Sequence, residues 1–277
     1  MTGDYRGFYP QVKWLLPNIA PKHVQLEALS RSMLGQQVCR HRFDAPDVKT
    51  IGRHGAAVGP ASGWAHFMRM RLGKTYVALA EFLWLREDFG VTNMLVFSPN
   101  KYKEAWKLEA ETSGVMSPVH VFKPDRNKAV EKFIDDHPDG VMVVNYEALI
   151  QPRNLLLIQK FVNANTFIVC DESIMIKNRS TSFFKGVHSF TKQVRYKRIL
   201  TGSPIAHGPQ DVYSQLRAIG ALEGVNFYSF RNRFCVMGGF AGRQIVGSRN
   251  PEALGALLQQ HSFVAKRPDW VDDFEPD

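Results

Sequence analysis

From Thr75 onward the apolar residues of this chain switch back and forth between two spacings. "TYVALAEFLWLRED" places them at the three-to-four-residue interval of a helix, and "NMLVF" follows as an unbroken apolar run closed by the turn "SPN". The alternation then repeats. "KEAWKLEAETSG", "RNKAVEKFIDDH", "NLLLIQKFVN", "STSFFKGVHSFT" and "GPQDVYSQLRAI" read as helices, and "PVHVF", "GVMVVN", "TFIVC" and "RYKRILT" as the strands between them. Strands that are apolar on nearly every position and separated by helices belong to a parallel sheet covered on both faces. The pattern predicts one α/β domain over residues 64–220.

Two flanks fall outside this rhythm. Residues 1–63 carry one predicted helix, "KHVQLEALSRSML", and then a polar stretch running into the Gly- and Ala-rich "TIGRHGAAVGPASG", read as a loop insertion. In residues 221–277, "NFYSFRNRFCVMGGF" and "NPEALGALLQQH" read as helical segments joined by the Gly-rich turn "GGFAGRQIVG". No internal repeat or low-complexity tract interrupts the chain.

Charge adds a partner class to this picture. The 277 residues hold 35 Lys plus Arg against 26 Asp plus Glu, a net charge of +9. Such an excess suits a polyanion, nucleic acid first, although many basic proteins bind none. The basic residues crowd "CRHRF", "FMRMRL" and "KQVRYKR", whereas the end, "DWVDDFEPD", is acidic. The three cysteines, Cys39, Cys170 and Cys235, are far apart and show no zinc-site spacing. A reduced, cytoplasmic setting is expected, with no membrane partner, because neither an apolar signal core nor a run of ~18 apolar residues is present.

Chemistry concentrates at strand ends, where ligands bind in a parallel α/β sheet. Before the first long helix stands "FMRMRLGKT". Its Gly73, Lys74 and Thr75 end a phosphate-binding loop of the G-x-x-x-x-G-K-[ST] type, but Met68 occupies the position of the first glycine. Lys74 would hold phosphates at a helix N-terminus and Thr75 would ligate Mg²⁺. "FIVCDES" is an apolar strand ending in Asp171 and Glu172: the first suits Mg²⁺, the second suits positioning or deprotonating a water. A solvated acidic pair at a strand exit is the plain alternative. "ILTGSP" then gives Thr201, Gly202 and Ser203 after a third apolar strand, which alone would be only a turn.

Taken in order, GKT, "VFSPNKYKEAWKLE", "VVNYEAL", "DESIMIKN" and "LTGSPI" resemble the first RecA-like domain of superfamily 2 helicases, most closely the Swi/Snf-type DNA translocases. Pro99, Trp106, Glu109, Lys177 and Asn178 fall on that pattern, and "SFRNRF" and "NPEAL" are similar to the segment after this domain in phage-type members. The likeness spans residues 20–268. It implies a P-loop NTPase fold, a three-layer sandwich with a parallel sheet flanked by helices and small helical additions at both ends. It also implies ATP and Mg²⁺ as cofactors, with Lys74, Asp171 and Glu172 catalytic.

The resemblance implies further roles. Arg71 is tolerated in phage-type "MRLGKT" loops. Gln25 becomes the adenine-reading glutamine if the Gly/Ala-rich segment is an insertion; the nearer "GRHG" offers only Gly55, and Gln25 is otherwise an ordinary helix residue. Ser98, Asn100, Lys101, Asn145 and Tyr146 fall where such domains hold one DNA strand, with packing the alternative for Tyr146 and the preferred role for Trp106. Thr201, Gly202 and Ser203 take the coupling motif. Two departures stand out: Arg69 replaces an acidic residue, and Ile174 replaces a histidine that bonds towards the coupling motif, so binding is expected to survive better than coupling.

The resemblance also implies a second RecA-like domain bearing arginine fingers, expected either in trans or lost by truncation, and a bacterial or phage-infected cytoplasm. Three functions are weighed: the ATP-binding half of a DNA translocase, a non-catalytic nucleic-acid or protein-binding module on the same fold, and an unrelated small-molecule kinase.

Overall fold

The computed structural model describes residues 22–33 and 60–265. Its centre is a seven-stranded sheet in the order β3-β4-β2-β5-β6-β1-β9, parallel at every pairing. The strands are β1 (Gly63–Met68), β2 (Asn93–Ser98), β3 (Val119–Val121), β4 (Val141–Asn145), β5 (Thr166–Asp171), β6 (Lys197–Leu200) and β9 (Ser262–Ala265). Along β2, β4 and β5 every residue is buried. That is why these runs lack the polar alternation of a half-exposed strand.

Period two still divides them between the two faces. Met94 and Val96 join Val141, Val143, Phe167 and Val169 on one side, with α1 (His23–Met33), α2 (Lys74–Phe89) and α3 (Lys103–Thr112). Leu95 and Phe97 join Met142, Val144, Ile168 and Cys170 on the other. There they meet α4 (Asn127–Asp136), α5 (Pro152–Phe161), α6 (Ser182–Thr191), α7 (Gln210–Ala218), α8 (Phe227–Phe234) and α9 (Pro251–His261). Helices cover both faces, giving the three-layer α/β sandwich that the periodicity requires.

The segment after residue 221 differs from its helical expectation. Helix α8 stops at Phe234, and β7 (Cys235–Gly238) pairs antiparallel with β8 (Gln244–Ser248) in a separate two-stranded ribbon. Gly238 and Gly239 disfavour a continued helix, and the β-branched Val236, Ile245 and Val246 suit extended backbone. Beyond α9, the run Ser262–Ala265 pairs beside β1 as the edge strand β9. Residues 1–21, 34–59 and 266–277 lie outside the described set, and with them Cys39, Gly55, most of the Gly/Ala-rich segment and the acidic end. Among the described residues no helix is long and apolar enough to cross a membrane, and Cys170 and Cys235 are free thiols.

A buried charge cluster fixes how α1, α2, β1 and β6 meet. Arg198 of β6 and Glu81 of α2 are both fully buried, and the guanidinium Nε donates to the two carboxylate oxygens at 3.1 Å each. His66 of β1 lies 3.3 Å from the same carboxylate, and the Ser32 hydroxyl of α1 donates to it. Arg198 also donates through Nη1 to the carbonyl of Ala61 at 2.9 Å. Burial alone would raise the Glu81 pKa, but the Arg198 charge, with His66 and Ser32, brings it down to about 2.

Breaking such a pair from one side leaves the other charge buried alone, which typically costs about 3–5 kcal/mol. Glu81→Leu should lower the unfolding free energy extrapolated from urea titration by that order. The double variant Glu81→Leu/Arg198→Met should recover most of the loss, because neither charge then remains to be desolvated.

Candidate nucleotide site

Strand β1 ends at Met68, and residues 69–73 turn the chain into α2. Met68 is the last strand residue, with its side chain fully buried. The close turn starts later, so the missing first glycine is no defect of this loop. Two positions there need left-handed backbone, Arg71 (φ 67°) and Gly73 (φ 77°). A non-glycine in that region costs on the order of 1–3 kcal/mol, so Arg71 holds strain within the loop. At Gly73 a β-carbon would also collide with the side-chain amide of Gln25. Helix α1 therefore delivers Gln25 to the phosphate-binding loop, where its Nε2 is 3.5 Å from the Leu72 carbonyl and its Oε1 accepts from the Lys22 amide at 2.8 Å.

Helix α2 opens at Lys74 with no side-chain cap, so its first-turn amides face the loop at the positive end of a 16-residue helix dipole. Lys74 folds back across the turn, donating from Nζ to the Met68 carbonyl at 3.1 Å.

Opposite the loop, β5 ends in Asp171, which is 8% exposed. Its Oδ2 accepts from the Trp106 indole at 2.9 Å and the Ser98 hydroxyl at 3.2 Å, and its Oδ1 accepts from the Glu172 amide at 2.9 Å. Tyr146 donates its hydroxyl to the Asp171 carbonyl at 2.7 Å. Burial raises the Asp171 pKa, opposed by Trp106, Lys74, Ser98 and the Glu172 amide. Glu172, held in left-handed backbone at φ 48°, is likewise raised by burial while the Lys74 charge pulls it down. A third carboxyl arrives from α3: burial raises Glu109, the Thr75 hydroxyl bonds to it, and the Asp171 charge adds to the rise. Lys74, Thr75, Glu109, Asp171 and Glu172 thus converge on one place. Negative charge there is only partly balanced.

The loop after β6 closes this arrangement. Thr201 donates its hydroxyl to Glu172 at 3.3 Å and accepts from the Ser203 amide at 3.2 Å. A β-carbon on Gly202 would lie 3.4 Å from the Arg69 α-carbon, so the third motif rests directly on the phosphate-binding loop. Ile174 is half-buried in the short 3₁₀ turn after Glu172 and offers no hydrogen bond to Thr201. Glu172 makes that contact instead.

Residues expected to face DNA divide into two groups. Asn100 and Lys101 are exposed beyond β2. Ser98 and Tyr146 are not: both are fully buried, and their hydroxyls are committed to Asp171. For Tyr146 the packing alternative is the one the geometry supports. Asn145 is 8% exposed, accepting from Lys103 at 3.2 Å and donating to Glu147 at 2.8 Å. Trp106 packs, as expected, but also holds the carboxylate, a role its helical position did not disclose. Strand order explains the inward turn of Ser98. Parallel β2 and β5 pair Phe97 with Cys170, so the next residues, Ser98 and Asp171, end side by side.

Among the described residues no three His, Cys, Asp or Glu side chains form a metal cage by themselves. The donors suit a cation carried largely by its own phosphates and waters, with one or two protein oxygens completing it.

A parallel sheet bearing a Gly-Lys-Thr loop and an acidic strand exit is a RecA-like nucleotide-binding fold. The chain belongs to the SNF2-related domain family, whose model matches residues 67–239. It is 27% identical over 205 residues to the SWI/SNF-related matrix-associated actin-dependent regulator of chromatin subfamily A-like protein 1 homolog of Caenorhabditis elegans, covering 71% of this chain and 27% of that protein. With the DNA repair and recombination protein RAD54B of Gallus gallus it shares 25% over 190 residues, covering 65% of this chain and 19% of that one. The solved Sulfolobus solfataricus SWI2/SNF2 ATPase core in complex with dsDNA superposes with a TM-score of 0.66 at 22% identity, covering 92% of this chain and 47% of that one. This chain therefore spans about a quarter or less of those two relatives and about half of that core.

The crowded carboxyls make a stability prediction. Asp171 has a folded-state pKa above its unfolded value, so its ionisation destabilises the nucleotide-free fold, an effect absent below about pH 4 and growing as pH rises through the folded pKa. Asp171→Asn keeps a side-chain oxygen for Trp106 and Ser98 and removes the charge, while losing the bond from the Glu172 amide at every pH. The melting temperature of the variant relative to wild type should be higher at pH 7.5 than at pH 4.

Proposed function

We propose that this chain is the ATP-binding half of an ATP-dependent DNA translocase of Swi/Snf type, completed by a second RecA-like domain supplied in trans or by a longer protein. The observation that carries the reading is the convergence of Lys74, at the head of α2, with the carboxyls of Asp171 and Glu172, at the exit of β5: the lysine charge acts on both.

In this reading the first-turn amides of α2 and Lys74 hold the ATP phosphates, Gln25 contacts the adenine, and Thr75 and Asp171 complete the shell of Mg²⁺. Bound Mg²⁺ supplies positive charge to the phosphate oxygens. Lys74 exchanges the Met68 carbonyl for phosphate, with the strained loop already set around it. Asp171 stays oriented by Trp106, Ser98 and the Glu172 amide, and the lone pairs those donors leave free would be offered to the cation. Glu172, with its pKa raised by burial, is a better proton acceptor than a solvated glutamate, and Thr201 orients it towards the attacking water. Asn100 and Lys101 contribute to a backbone-tracking DNA contact that reads no bases. A strand of DNA and the partner domain's arginine finger complete the working assembly.

Three measurements test this. Lys74→Ala should weaken binding of a fluorescent ATP analogue in Mg²⁺ by at least about tenfold, the loss expected for a desolvated charge-assisted contact; unchanged affinity would overturn the reading. ATP turnover should be slow for the chain alone on DNA and rise by about 10³ or more when the second domain is added, as arginine fingers do elsewhere. Gln25→Ala should leave triphosphate affinity largely intact while erasing a preference for ATP over GTP, read by competition against the same analogue.

A further inference from the structure

Between Glu223 and Glu252 the chain contains no acidic residue and four arginines, Arg231, Arg233, Arg243 and Arg249. This run builds α8 and the β7–β8 ribbon. The ribbon is rooted firmly: Phe230 and Phe234 of α8 are buried in the core, the Arg249 amide donates to the Phe234 carbonyl at 2.9 Å, and Asn250 donates to the Arg233 carbonyl at 2.7 Å. Its far end is a tight turn made of left-handed backbone at Gly239, Ala241 and Gly242. Gly239 takes φ 68° and ψ −161°, a combination essentially confined to glycine, and a β-carbon there would strike Gln244. The turn holds Phe240 outward, 89% exposed, with the exposed Arg243 three residues on.

The surroundings share this character. Val246 of β8 is 59% exposed and Tyr228 of α8 is 58% exposed. Arg231 stacks 5.2 Å from the Tyr228 ring, and Arg179, from the loop that follows the Asp171–Glu172 pair, lies 4.6 Å from the Phe227 ring and 5.8 Å from Tyr228. None of the ion pairs among the described residues uses any of these arginines. A single exposed phenylalanine is ordinary. An exposed aromatic on a fixed turn, beside unpaired arginines in an acid-free run, is not.

We infer that the β7–β8 ribbon is a DNA-binding arm in which Arg243 and Arg249 contact backbone phosphates and Phe240 inserts against a base step. Unpaired guanidinium groups match phosphate charge and geometry. An apolar wedge flanked by such groups partly unstacks the step it enters, and every base offers it a π-face whatever the sequence. Arg179, from the loop that follows the acidic pair, reaches the start of α8, the helix from which the arm leaves. The inference rests on the reading of the chain as DNA-acting, and it adds a contact that no sequence motif for phosphate or metal binding identifies.

The test uses the 277-residue chain and a fluorescein-labelled duplex carrying 2-aminopurine, with anisotropy titrated across salt concentration and no nucleotide present. Arg243→Ala/Arg249→Ala should bind about tenfold more weakly at moderate salt and lower the slope of log K against log salt by about 2, since each neutralised phosphate contributes near 0.9. Phe240→Ala should keep the wild-type salt slope but lose the 2-aminopurine fluorescence rise that reports unstacking. All variants should bind the ATP analogue as wild type does, which shows that the core is folded. Wild-type slope and wild-type fluorescence in the variants would overturn the arm while leaving the translocase reading standing, and would assign the ribbon to another partner. A wild-type chain that binds no duplex at all would overturn both.

Discussion

Everything at this site depends on keeping one carboxylate in place where the solvent is largely excluded. Asp171 closes a strand whose every residue is buried, and burial disfavours its charge. The fold answers with directed donors: an indole from α3, a hydroxyl from the neighbouring strand and a backbone amide from the next residue. Those donors orient the group without neutralising it. Lys74 offsets part of the remaining charge from across the turn, and Glu109 and Glu172 add to it. The carboxyl charge at the site is therefore only partly offset, and the same uncompensated charge that would attract a cation destabilises the ligand-free fold.

The second buried charge pair serves geometry. Glu81 and Arg198 lie behind the phosphate-binding loop, linking α2 to β6, and through Ser32 and Ala61 they also hold α1 and the entry to β1. Since α1 carries Gln25 against Gly73, the cluster also sets how closely α1 approaches the Gly-Lys-Thr turn. A purely apolar contact could hold the same helices together, but it would specify their register less sharply, because an unpaired charge penalises every alternative packing.

Most of the sheet is legible from periodicity because fully buried strands and amphipathic helices differ in both length and texture. The site motifs are legible for a related reason: each follows a strand exit, where the apolar run stops abruptly at Arg69, Asp171 or Thr201. The hidden part lies in the third dimension. Whether Ser98 faces outward or towards Asp171 depends on the alignment of β2 with β5, which no single strand's sequence states. Trp106 and Glu109 carry a recognisable spacing, but one on a helix reads as packing until the helix is placed. After residue 221 the apolar spacing is too short to separate helix from strand, and the open edge of β1 decides the fate of Ser262–Ala265.

Isoleucine at position 174 leads to the expectation of a cut link between the acidic pair and the third motif. The geometry moves that link by two residues instead. Glu172 takes the Thr201 hydroxyl directly, and its left-handed backbone turns its side chain off the strand axis towards β6. Gly202, next to Thr201, lies so near the Arg69 backbone that a β-carbon on it would be in contact, which places the third motif beside the Gly-Lys-Thr loop. A histidine relay would add reach. A glutamate that contacts the third motif directly makes the link shorter and ties its bond to its own protonation: while Glu172 is ionised it accepts from Thr201 strongly, and when protonated it accepts less well. A contact of this kind between the acidic pair and the third motif needs no side chain at 174.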